Sequence, residues 1–124
     1  MKPLIPDGSI ITCRTADAEA RLRIMLADRW LSRLVGLLTT ASPPPADSGL
    51  LLLPGGSVHT LGLRYDIDVA HLDADLRVLR HRSAVRPGRF VRAPAGTQAT
   101  LETAAGVLPA DLTGHCFEIA QVAA

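Results

Sequence analysis

Lysine is nearly missing from this chain: of its 13 basic side chains only Lys2 is a lysine, and the rest are arginines. With plentiful Ala, Pro and Gly, this matches GC-rich coding better than arginines chosen for phosphate recognition. Aromatic residues are equally scarce, at 3%. The basic run Arg77, Arg80, Arg82, Arg86, Arg89, Arg92 has Phe90 as its one interleaved ring. It therefore reads as a solvated strand face, and no nucleic-acid partner is expected. A net charge of +1 gives bulk electrostatics no pull towards a polyanion. Cys13 and Cys116 stand near opposite ends without CxxC or HxxxH spacing, so no metal and no other cofactor is expected, and both thiols are expected to be free.

Several longer patterns are also absent. No apolar run reaches the roughly 18 residues of a membrane span. The opening MKPLIPDGS meets Pro6 and Asp7 before a signal-peptide core can form, so the expected setting is cytoplasmic, without a membrane. There is no P-loop, no dinucleotide-binding glycine pattern, no G-x-S-x-G elbow and no D-x-D-x-D-G calcium loop. These gaps leave no standard nucleotide, hydrolase or calcium motif to build on.

What is present suits one domain over residues 1–124, with 48% hydrophobic and 20% charged residues. Ser9 to Arg14 and Arg21 to Ala27 are β-branched or alternating runs that predict strands, the second being compatible with a helix as well. Asp28 is an N-cap candidate for Trp30, Leu31, Leu34, Leu37 and Leu38 at helical spacing, predicting one short helix. Residues 39–48 contain three consecutive prolines and read as a surface loop. Gly49 to Pro54 looks like a strand buried on both faces. Tyr65 to Leu72 alternates, Asp73-Ala74-Asp75 turns the chain into a hairpin, and RFVRA, QATLET and CFEIAQV predict further short strands. The expected fold is mainly β: a compact β-sandwich or jelly-roll-like barrel of about eight short strands with one short helix.

The densest chemistry lies between Ser57 and Asp73, SVHTLGLRYDIDVAHLD, where polar groups interrupt an apolar, strand-like segment. Buried polar groups must find partners. His59 is the candidate acid, base or ligand contact because imidazole titrates near neutrality. Arg64 seeks carboxylates or an anion, and Asp68 and Glu102 are its natural partners. These residues, with Thr60, define either a fold-locking network or a semi-polar ligand pocket.

The order of motifs resembles a widespread bacterial group, domain of unknown function family 192. The matching pieces are Arg33, Gly36, Leu37 and Leu38; Gly49 to Leu52 with Pro54; Val58 to Thr60 with Gly62, Leu63 and Arg64; Ile67 to Val69; Leu72 and Asp73; Pro87; and TLETAAG from Thr100 to Gly106. The resemblance implies a jelly-roll type β-sandwich with a short helix, and supplies no substrate. Many relatives carry a cysteine after the proline of the GLLL strand, where Gly55 stands here.

The leading expectation is a binding or accessory module whose pocket, formed by His59, Thr60, Arg64, Asp68 and Glu102, takes a small anionic or peptide ligand. An enzyme alternative makes His59 the general base of a hydrolase, with Arg64 as anchor and Ser57 or water as nucleophile. A third reading is protein interaction through a strand edge or the Pro43 to Pro45 loop.

Overall fold

The computed structural model describes residues 5–27 and 43–123, and over these the chain is mainly β. The strands are β1 Ile10–Arg14, β2 Glu19–Ala27, β3 Ser48–Leu52, β4 Val58–His59, β5 Ile67–Leu72, β6 Val78–Val85, β7 Phe90–Val91, β8 Ala99–Ala104 and β9 Glu118–Gln121. Seven form one sheet in the order β6-β5-β8-β3-β2-β1-β9, and β4 pairs with β7 as a separate ribbon. Every pairing is antiparallel except β2 with β3.

β3 lies inside the sheet between β2 and β8, and its continuous leucines follow from apolar packing on both faces. Successive residues of a strand point to opposite faces, so Leu51 joins one core and Leu52 another. The larger core gathers Ile11, Leu22, Leu51, Leu72, Leu101 and Phe117. The smaller one joins Leu52, Ile67, Val69 and Val85 of the main sheet to Val58 and Val91 of the ribbon. Burying a Val, Leu or Ile side chain stabilises a fold by roughly 1.5–3 kcal/mol, so Val58 and Val91 anchor the ribbon over β3 and β5.

The hairpin between β5 and β6 forms as expected. Asp73 Oδ1 accepts the backbone N–H groups of Asp75 (2.9 Å) and Arg77 (3.0 Å). In the absence of a glycine, Leu76 takes the left-handed conformation with φ 64°.

Three details differ from expectation. The sheet does not close into a barrel. One isolated bridge, Arg77 to Cys116, links the β6 side to the chain entering β9, and no ladder joins the two edges. Nine strands rather than eight are found among the described residues, β4 and β7 being only two residues each. The final strand starts at Glu118 rather than near His115, because residues 114–117 are drawn to the other edge: Val78 donates to His115 O and Gly114 to Val78 O, both at 2.8 Å. The helix expected after Asp28 lies outside the described residues, and no helix occurs within them. Among the described residues no helix is long and apolar enough to cross a membrane.

Candidate functional site

Two of the three buried polar residues of the central motif, Thr60 and Asp68, are spent on backbone. Thr60 is fully buried. Its hydroxyl donates to Arg86 O at 2.6 Å and accepts the N–H of Arg89 at 2.8 Å. Its own N–H reaches Arg89 O and its carbonyl accepts from Gly88, at 2.8 and 2.9 Å. One side chain therefore fixes both ends of the Arg86-Pro87-Gly88-Arg89 turn.

Asp68, on β5, has an equivalent role. Its Oδ1 accepts the N–H of Ala84 at 2.8 Å, and its Oδ2 accepts from Gly106 at 3.0 Å and Leu108 at 3.1 Å. A buried carboxylate is tolerated only with such donors. Opposite it the β5–β6 ladder jumps, with Ile67 facing Val85 and Val69 facing Arg82, so that Ser83 and Ala84 form a bulge. Ala84 takes φ 48° there, a conformation unfavourable for a residue with a Cβ.

Between this bulge and β7 lies a cleft of about 230 Å³ lined by Arg82, Ser83, Ala84, Val85, Arg86, Arg89, Phe90 and Val91. Arg82, Arg86, Arg89 and Phe90 are exposed, Phe90 by 68%. The chain from Leu76 to Leu101 holds six arginines and no acidic residue. An ion pair forms elsewhere, Arg14 to Glu19 at 3.1 Å. Those two residues line a second cleft with Thr12, Cys116 and Glu118, where the acidic side chains offset the arginine.

The remaining expected site residues divide between surface and interior. His59 is exposed on β4, directly across the ribbon from Phe90. Arg64 is exposed and forms no ion pair among the described residues. Glu102 is buried on β8 beside Val69, whereas Asp68 pairs in register with Thr103. Neighbouring register positions face opposite ways, so Asp68 and Glu102 lie on opposite faces of the sheet, and an Arg64–Asp68–Glu102 cluster is not assembled. Ser57 accepts the N–H of Ala93 at 2.8 Å rather than meeting His59.

A histidine that sequence reasoning passed over is enclosed. His71 Nε2 stands 3.2 Å from Gly56 O, which also accepts the Thr100 hydroxyl at 2.9 Å. Burial lowers the pKa of His71; the Gly56 contact opposes this, and Arg80 adds to it. His81 is likewise pushed down by burial and partly raised by Asp68. Its Nε2 lies 3.3 Å from the Ser83 hydroxyl at the cleft. Cys13 and Cys116 are free thiols; burial first, then nearby Cys116, Asp111 and Glu118, push Cys13 up.

The arginine cleft is visible in sequence only as a basic run. The signal that singles it out is the 26-residue stretch without an acid, from Leu76 to Leu101.

Comparison with known proteins agrees with the family resemblance. The model of the family described as "Uncharacterized ACR", domain of unknown function 192, matches residues 11–112. No curated protein matches the chain. Two solved structures share the fold. One, a protein of unknown function from Novosphingobium aromaticivorans DSM 12444, is 20% identical over 95% of this chain and 93% of its own, with a TM-score of 0.74. The other, from Sinorhizobium meliloti 1021 and described as a "putative transcription regulator", is 16% identical over 95% of this chain and 98% of its own, with a TM-score of 0.76.

Proposed function

The chain belongs to domain of unknown function family 192, and from that premise we propose that it acts as a binding or accessory module whose ligand is a small anion or an anionic group on a peptide. One observation carries the reading: the hydrogen bonds of Thr60 and Asp68 are spent on the backbone that carries Arg86, Arg89 and the Ser83–Ala84 bulge. Buried polar groups committed to shaping an exposed arginine turn make sense where that turn receives something. His59 and Arg64 are exposed members of the motif on either side of Thr60 in sequence, and Arg64 adds a further cation to that surface. Thr60 and Asp68 are positioning residues in this reading, and Glu102 braces β8 from inside.

Guanidinium groups offer planar pairs of donors that suit carboxylate and phosphate oxygens. Three of them around one concave surface, without a carboxylate lining it, favour anion binding over general-base hydrolysis by His59. The β4–β7 ribbon packed over β3 and β5 supports a sandwich-like layering, and two free thiols fit a reducing, cytoplasmic setting.

Calorimetry with phosphate, sulfate and dicarboxylates tests the proposal on wild-type protein, Arg64→Ala and Arg86→Ala. Saturable binding that weakens in folded variants is the expected result. Equal, salt-insensitive heats in all three proteins would remove the anion-binding role.

A further inference from the structure

The cleft pairs two chemistries that are seldom needed together. Its lining includes Arg82, Arg86, Arg89 and Phe90. Phe90 is one of only two phenylalanines in the chain and is 68% exposed, while Leu61, next to the Thr60 hub, is 60% exposed. Val91, its neighbour on β7, is buried at 1% and fixes the strand, so the Phe90 ring is held on a rigid support rather than on a loose loop. His59 faces Phe90 across the ribbon and adds a second flat ring to the same exposed surface.

The volume also discriminates. About 230 Å³ is smaller than the roughly 300–1,000 Å³ of sites that enclose a drug-sized molecule. It accommodates a phosphate group and leaves the rest of the ligand on the rim. Ser83 supplies a hydroxyl to that space besides the guanidinium donors. An aromatic face beside an arginine cluster is how proteins hold a base and its phosphate together. A flat lipid surface would not need a concavity.

We infer that this cleft binds a nucleoside phosphate, with the phosphate among Arg82, Arg86 and Arg89 and the base stacked on Phe90. The inference rests on the anion-binding reading and deepens it by naming the ligand class and the residue that selects it.

The test is calorimetric titration of the full chain with adenosine monophosphate, ribose 5-phosphate and adenosine, repeated on Phe90→Ala and Arg86→Ala. Both substitutions lie at exposed positions, and circular dichroism checks that each variant is folded. The expected order is adenosine monophosphate first, with ribose 5-phosphate about tenfold weaker and adenosine weaker still. Phe90→Ala brings the nucleotide down to the level of ribose 5-phosphate, and Arg86→Ala weakens both phosphates. Equal binding of the nucleotide and ribose 5-phosphate, insensitive to Phe90→Ala, would overturn the nucleotide inference while leaving anion binding intact. No binding of either phosphate, with the chain instead sedimenting with phosphatidylglycerol vesicles through Phe90, would overturn both. A uridine monophosphate control that matched adenosine monophosphate supports stacking, which tolerates any base.

Discussion

Ala84 donates its backbone N–H to Asp68 Oδ1 at 2.8 Å while held at φ 48°, so a buried carboxylate and a left-handed alanine define the same bulge. The carboxylate has two more backbone donors, Gly106 and Leu108. Asp68→Asn removes the charge and turns an amide NH₂ towards backbone N–H groups. Such a change is expected to destabilise by about 2–4 kcal/mol in urea or guanidinium unfolding. Ala84→Gly relieves the left-handed strain at some cost in chain entropy, and is expected to be neutral or to stabilise by up to about 1 kcal/mol. Ala84→Val, β-branched at a positive φ, is expected to destabilise. A stabilised Ala84→Val would show that the bulge is not maintained in solution.

Thr60 leads to a similar prediction with a different readout. Thr60→Val keeps the shape of the side chain and deletes the hydroxyl that joins Arg86 O to Arg89 N. The expected cost is about 1–3 kcal/mol, accompanied by weaker phosphate binding in protein that is still folded, because both arginines hang from the released turn. Thr60→Ser, which keeps the hydroxyl, is expected to restore binding more fully than stability. If Thr60→Val lost stability alone, with affinity unchanged, the turn would not set the arginine geometry.

Much of the fold is legible in the chain. Alternation marks β5 and β8, and the unbroken leucines of β3 follow from burial on both faces. The site is less legible for reasons that can be stated residue by residue. Asp68 finds its three donors 16, 38 and 40 positions away, a separation that no local pattern reveals. Its most obvious partner in sequence, Arg64, lies outside on the surface. The bulge carries Ser83-Ala84 where a glycine or asparagine would have announced a positive φ. The arginines of β6 and its turn read in sequence as a passive face, since only that bulge gathers Arg82 and Arg86 around one space.

Gly55 packs directly against the backbone of β8. A Cβ at this position would lie 2.5 Å from Ala99 Cα and 2.6 Å from Thr100 N, against backbone that cannot swing aside. The close approach is fixed by the Gly55 N–H to Gln98 O hydrogen bond at 2.8 Å. Gly55→Cys and Gly55→Ala are both expected to destabilise by about 3 kcal/mol, measured as a shift in the urea midpoint. A thiol placed here would then disturb β8 rather than supply chemistry. Tolerance of either substitution would mean that the 54–56 turn can move away from β8 at little cost.

His71 should make stability depend on acid. Its pKa is lowered in the folded state by burial, with Arg80 acting in the same direction against the Gly56 contact. A ring that is harder to protonate when folded binds its proton first in the unfolded chain. The stability contributed by the neutral ring is therefore complete above the unfolded value of about 6.5, and is lost progressively as the pH falls from there through the lower, folded value. His81, also lowered, adds a loss of the same sign. His71→Phe keeps a flat ring and removes the titration, while Gly56 O retains the Thr100 hydroxyl as a donor. The variant is expected to cost about 1 kcal/mol at neutral pH and to flatten the fall in unfolding free energy in the interval below about pH 6.5. Urea unfolding at half-unit steps across that interval measures the slope. Identical slopes in wild-type and variant protein would assign the acid sensitivity to His81 or to the carboxylates instead.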